Sequence, residues 1–241
     1  MVGADLSRDS QIMVKRLYPM IACGGIVTAV VAAVVGQIDP DPYLDPINLT
    51  LSDYAVLDRS GATEVAMVVL GLSSLALLAG MRAVRAPVSG WPERLMLVWS
   101  LALVVAAIVP TSAIAEGMTW AAQVHRYVSV AAFVSLPAAT ALLVGRFAAD
   151  DRWKAVARPV EWLTLASGIG LAAMTYLALP GHGLMIGLVE RVFLTVEVTV
   201  LGVLAVQLAR LAWKDAFLDQ AAAVGNIARR ADQVLHRLRG I

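Results

Sequence analysis

Six stretches of this sequence, at 17–35, 61–81, 95–114, 122–144, 160–179 and 184–208, are each long and apolar enough to cross a bilayer. The hydrocarbon core is about 30 Å thick, and about 20 helical residues span it. No water reaches peptide groups at that depth. Such runs therefore fold as helices, which satisfy their own N–H and C=O groups. The expected fold is all-α: an integral membrane bundle of six transmembrane helices followed by a C-terminal cytoplasmic amphipathic helix. Composition agrees, with 59% apolar and 15% charged residues against about 45–50% and about 25% in soluble domains. A net charge of +1 gives no basis for nucleic-acid binding. The single cysteine, Cys23, excludes an internal disulfide framework and a cysteine metal site.

With six spans the termini share one side of the membrane. Basic residues in short loops mark the cytoplasmic side. Sixteen of the 19 lysines and arginines fall on the terminal side, and only Arg59, Arg126 and Arg191 fall on the other. Both termini are thus expected in the cytoplasm. The excess of arginine over lysine, with abundant Ala and Val, points to a bacterial inner membrane. Trp91, Trp153, Trp162 and Trp213 are expected at the inner interface, and Trp120 and Tyr43 at the outer one.

The expected organisation is a cytoplasmic segment over 1–16, the six-helix domain over 17–212 with an outer loop at 36–60, and a tail over 213–241. In the outer loop, DPDPYLDP at 39–46 is stiffened by three prolines. Ser52 is expected to N-cap a short helix running through Asp58. In the tail, Phe217, Ala221, Val224, Ala228, Ala231, Leu235 and Leu238 recur at helical steps between charged positions. Such a helix suits the anionic inner leaflet or a protein partner.

Charges inside spans are costly and face a bundle interior or water. The fourth span opens with His125 and Arg126, and the sixth with Glu190 and Arg191. Glu197 lies seven residues beyond Glu190 on the same helix face, about 10 Å deeper. At a common depth stand Asp53, Asp58, Arg59, Glu64, Glu116 and His182. These residues, with Tyr54, are the candidate ligand-binding set of an outward-facing polar cavity roofed by the loop. The structural alternative is ion pairing, with Arg126 and Arg191 neutralising Glu64, Glu116, Glu190 or Glu197. Cys23, Gly24, Gly25, Gly168 and Gly170 are expected where helices approach closely.

The LSDYA motif at 51–55, the His125-Arg126 start of the fourth span and the Glu190-Arg191 start of the sixth resemble a bacterial membrane family, domain of unknown function 998. The resemblance covers about residues 15–210 and leaves the tail outside. It implies a polytopic membrane protein and no established activity. It marks Ser52, Asp53, Tyr54 and His125 as recurrent polar positions.

Three functions compete on the sequence alone. The cavity binds an outer-leaflet lipid headgroup or a small polar solute, with the arginines holding an anionic group and the glutamates a cation or proton. Alternatively, the chain is a structural accessory subunit whose tail docks a partner. The third reading is an intramembrane hydrolase or transferase acting on lipid. In its zinc form His125, His182 and a carboxylate bind the metal, a set similar to that of membrane ceramidases. Those use three histidines, and the third here, His236, lies in the tail. In its metal-free form Ser52 is the nucleophile and His125 the base, without support from a GxSxG elbow. No cofactor is expected; the histidines lack haem-bundle spacing.

Overall fold

The computed structural model describes residues 2–38, 45–53, 61–109 and 119–239, with side chains described from 17 to 214 within that set. Six long helices follow in chain order: α1 (Val2–Val35), α2 (Ala62–Ala83), α3 (Trp91–Ile108), α4 (Trp120–Ala149), α5 (Lys154–Ala178) and α6 (Ile186–Arg239). All six are long and apolar enough to cross a membrane. The protein is thus a multi-pass membrane protein, and its helices meet the lipid bilayer. The backbone of α6 continues without interruption through the tail, and that of α1 includes residues 2–16. Neither terminal segment forms a separate element.

Each helix packs on the next in sequence, and α6 returns to pack on α1, with a further contact to α2. The result is a ring in chain order. The ends of α1, α3 and α5 and the starts of α2, α4 and α6 lie at one end, here termed the loop end. The other gathers the short turns at 84–90 and 150–153, the turn end.

Several helix contacts depend on glycine. A Cβ on Gly71 of α2 would stand 2.7 Å from the Ser100 carbonyl oxygen of α3. One on Gly25 of α1 would run into the Ser73 side chain of α2, and one on Gly170 of α5 would meet Phe193 of α6 at 2.9 Å. Lipid is as apolar as leucine, so close van der Waals approach is what drives such helices together. Gly24 and Gly168, by contrast, have nothing within 4 Å of that position. They lie on helix faces turned away from neighbours and perform no such service.

Several polar residues in the core satisfy one another or the backbone. Trp99, fully buried on α3, donates its indole N–H to Ser74 Oγ at 3.2 Å. Ser74 Oγ in turn donates a hydrogen bond to the Leu70 carbonyl at 2.8 Å. Pro137 lies inside α4, where proline removes a backbone donor. Ser135 and Thr140 donate to the Ala132 and Pro137 carbonyls on either side of it.

The turn end is fastened by arginine. Arg146 Nη1 donates to the Ser89 carbonyl at 2.6 Å, and Arg152 reaches the Val84 and Arg85 carbonyls at 2.9 and 3.0 Å. Gln207 of α6 donates to the Arg152 carbonyl. Charges read as topological markers thus also fasten connections. Trp153 departs from its expected interfacial place. It is fully buried and stacks on Phe147 at 5.0 Å and 17°. The reversal between α4 and α5 is too tight to turn it outward. Trp91, Trp120, Trp162 and Trp213 are all exposed, as an aromatic belt requires.

Two outcomes are expected. Trp153→Ala should cost about 3–5 kcal/mol, the range for deleting a buried aromatic. Trp91→Ala should stay within about 0.5 kcal/mol; thermal unfolding in detergent compares them. For Asp150, partial burial raises the carboxyl pKa, but hydrogen bonds from the Arg152 side chain and backbone outweigh it and hold it low. A lowered folded pKa contributes stability that is present above the unfolded value, 3.8, and lost as pH falls through the folded one. Asp150→Asn should therefore lower thermal stability at pH 7 by at most about 1 kcal/mol. The gap from the unaltered protein should close in acid below that unfolded value.

Candidate functional site

The site lies at the loop end, where residues 45–53 fold onto the first turn of α6. A helix start leaves N–H groups without intrahelical partners. Here the loop supplies two of them: Leu188 N–H donates to the Ile47 carbonyl at 3.0 Å, and Met185 N–H to Asn48 Oδ1 at 2.9 Å. Arg191 returns the contact. Its Nη1 donates to the Pro46, Leu49 and Gly187 carbonyls at 2.9, 2.8 and 3.0 Å. Its Nε donates to Gln37 Oε1 at 2.9 Å, just beyond α1. Glu190 Oε2 accepts from the Leu51 N–H at 2.6 Å. A Cβ on Gly187 would collide with the Leu49 and Pro46 carbonyls. Only glycine lets the loop lie this close.

Residues 51–53 are helical, and the expected continuation to Asp58 lies outside the described residues. The cap is Thr50, not Ser52. Thr50 Oγ1 accepts from the Asp53 N–H at 3.1 Å, while Asp53 Oδ2 accepts from the Thr50 N–H and hydroxyl at 2.9 and 2.6 Å. This is a reciprocal capping box, and its T-x-x-D spacing stands in the sequence. The expectation for Ser52 is corrected for that reason. With Thr50 capping, the Ser52 hydroxyl is free to meet His125 Nε2 at 3.1 Å.

His125 sits one turn inside α4, whose start is capped by the Thr119 side chain accepting from the Ala122 N–H. The ring is buried, 8% exposed. Its Nδ1 stands 2.9 Å from the Val109 carbonyl, at the end of α3. A carbonyl can only accept, so Nδ1 carries the proton. In the neutral ring Nε2 then offers its lone pair to the Ser52 O–H.

A cavity of about 640 Å³ opens beside this pair. Most of its wall is apolar, from Ala29 and Ala33 of α1, Met67 of α2, Leu103 and Ala106 of α3, and Ala132 of α4. Its polar lining includes Ser52, Ser129, Glu190, Arg191, Gln37 and Thr63. Gln37 Nε2 and Thr63 Oγ1 are buried without a hydrogen-bond partner among the described residues. Exposed lining residues stand on α1 (Val30, Val34), just after it (Ile38) and on α6 (Thr195, Thr199). The hollow therefore opens sideways between the first and last helices. An outward-facing polar cavity was expected. The wall is instead mostly hydrocarbon, and the loop backbone engages the Glu190 carboxylate and the Arg191 guanidinium at its polar end.

The candidate residues divide accordingly. Asp53, His125, Glu190 and Arg191 are all part of this network. Arg126 and His182 are exposed, and His182 has a left-handed φ of 52° in the turn before α6. Glu64 is partly buried, with Oε2 unpartnered among the described residues. Glu197 is fully buried on the core face of α6, outside the cavity lining, and neither carboxylate oxygen has a partner among the described residues. Tyr54, Asp58, Arg59 and Glu116 lie outside the described residues, as does Tyr43. Ion pairs found among the described residues, Arg82–Glu93, Arg152–Asp150 and Arg158–Glu161, lie away from this network. Among the described residues Arg191 donates to the carbonyl oxygens of Pro46, Leu49 and Gly187 and to Gln37 Oε1. Among the described residues no group of three His, Cys, Asp or Glu stands together as a metal site would need. Gln37, Thr63, Thr50 and Gly187 were not singled out from sequence; of these only the capping-box spacing was a readable signal.

The model of a family of proteins of unknown function, DUF998, matches residues 22–207. The chain belongs to that family. No curated protein and no solved structure gives a match.

Gly187→Ala should lift the loop off α6 at a cost of about 1–3 kcal/mol, the range for overpacking. Limited proteolysis should then cut within 45–53 faster than in the unaltered protein. Gly24→Ala, in open space, should leave the rate unchanged.

Proposed function

We propose that this protein accommodates the apolar chain of a membrane lipid in the lateral cavity, with the lipid's polar linkage at the loop end. The observation that carries this reading is the distribution of chemistry along the cavity wall. The wall is hydrocarbon over most of its surface, and Gln37 Nε2 and Thr63 Oγ1 on it lack partners among the described residues. Buried donors without partners are costly. An ester or headgroup oxygen would supply the missing acceptor, while the chain fills a space that water leaves empty. The side opening faces surrounding lipid, so such a molecule enters without leaving the hydrocarbon. A small polar solute fits this wall poorly.

We place the loop end on the outer side of a bacterial cytoplasmic membrane, with both termini cytoplasmic. The support is the sixteen-to-three split of basic residues. The bound lipid is then an outer-leaflet one. The basic, amphipathic sequence of the tail favours contact with anionic lipid of the inner leaflet or with a protein partner. The accessory-subunit reading takes the loop-end charges as internal staples and the tail as the docking element. The zinc reading requires His125 to give up either Ser52 or the Val109 carbonyl.

Native mass spectrometry of the gently solubilised protein tests the cavity. Retained lipid is expected. Ala33→Phe, which fills the cavity from a half-buried position on α1, should reduce occupancy by about tenfold, equivalent to 1.4 kcal/mol, without lowering the unfolding temperature. Retention unaffected by the phenylalanine would place the lipid elsewhere and overturn the reading.

A further inference from the structure

The geometry points to Ser52 and His125 as a nucleophile–base pair that cleaves or transfers the acyl group of a lipid ester held in the cavity. The inference rests on the reading of the cavity as a lipid-chain site and adds a reaction to it. Three features support it together. Ser52 Oγ and His125 Nε2 are 3.1 Å apart, within reach for proton transfer. The Val109 carbonyl fixes the ring tautomer with the lone pair toward Ser52, the orienting role that a third group plays in activated-serine sites. Ser52 also lines the cavity, so an acyl chain lying on the hydrocarbon wall brings its carbonyl carbon to the end where the hydroxyl stands.

A hydrogen bond that only pinned the loop would not need this location. The loop is already held by Arg191, Glu190 and the Gly187 contact. Nor is the serine consumed by capping, because Thr50 and Asp53 perform that task.

The reaction balances with water or a second alcohol as co-reactant. Ser52 Oγ forms a bond to the ester carbonyl carbon while His125 Nε2 accepts the hydroxyl proton. The ester C–O bond breaks, and the departing alkoxide takes that proton from His125, leaving an acyl-serine. Water or an acceptor alcohol then attacks the acyl carbon and gives its proton to Nε2. The bond to Ser52 breaks, and Oγ recovers the proton. No electrons are exchanged, and no metal is required.

The full-length protein in lipid nanodiscs tests the pair with two fluorophosphonates, one ethyl and one decyl. Serine attack on phosphorus expels fluoride and leaves a mass tag. The tag is expected on Ser52, faster with the decyl reagent. It should be absent in Ser52→Ala. In His125→Gln the rate should fall by about a hundredfold or more, the size of a lost general base. Thermal unfolding of each variant verifies folding, and Ser52→Cys, treated with a decyl iodoacetamide, provides a second nucleophile at the same place. An untagged Ser52 in the folded protein would overturn the inference. So would a rate in folded His125→Gln equal to that of the unaltered chain. If Ser52 is tagged with no preference for chain length, the pair stands and the cavity reading fails. Lipid retained in the cavity with Ser52 untagged means the reverse.

Discussion

The guanidinium of Arg191 is the fixture on which the loop end depends. A loop at the edge of hydrocarbon has peptide carbonyls that neither helix nor water satisfies, and each orphan is expensive. Arg191 answers with a planar fork of donors spread over Pro46, Leu49, Gly187 and Gln37. A lysine ammonium, compact and more strongly hydrated, does not match that spread. The arrangement sets the height of the loop above α6. That height in turn sets where residues 51–53 turn and where the Ser52 hydroxyl points. A charge that sequence considerations assigned to ligand or ion pair is therefore spent chiefly on architecture.

Helix starts supply the complementary half. The first turn of α6 offers N–H groups and the loop offers oxygens, so each completes the other. The same economy appears at the turn end, where arginines hold carbonyls of the short connections. Glu197 stands outside this economy. A carboxyl with neither oxygen partnered among the described residues, in the middle of a packed helix face, is a standing cost to the fold. The cavity does not use it, and the packed face around it gives no account of why it is there.

Much of this was legible in sequence. The six runs stand out because hydrocarbon forces the helix and fixes its length. The resemblance carried by LSDYA, His125-Arg126 and Glu190-Arg191 is supported by the family match over residues 22–207. His125, Glu190 and Arg191 were legible as costly residues in costly places. What each would bond to was not. A serine can cap, attack or pin, and Ser52 is freed from capping by Thr50, three residues before Asp53. The cavity's character was hidden for another reason. Common depth in the membrane says nothing of azimuth around the bundle, and azimuth decides whether a hollow is walled by charges or by alanine and leucine. Trp153 shows the same limit: its place along the chain suited an interface, but the tight reversal after α4 turns it inward.

The ring of helices has one junction unlike the others. Five neighbouring pairs are joined by a connecting segment of chain; α1 and α6 meet without one. Separating them stretches no covalent linkage. In water, apolar surface would drive such a seam shut. In lipid the exposed surfaces are solvated equally well, so that incentive vanishes. Among the described residues the seam is clasped at the loop end by Arg191 on Gln37. The ring thus closes at a junction that no loop ties, and the cavity opens beside that junction.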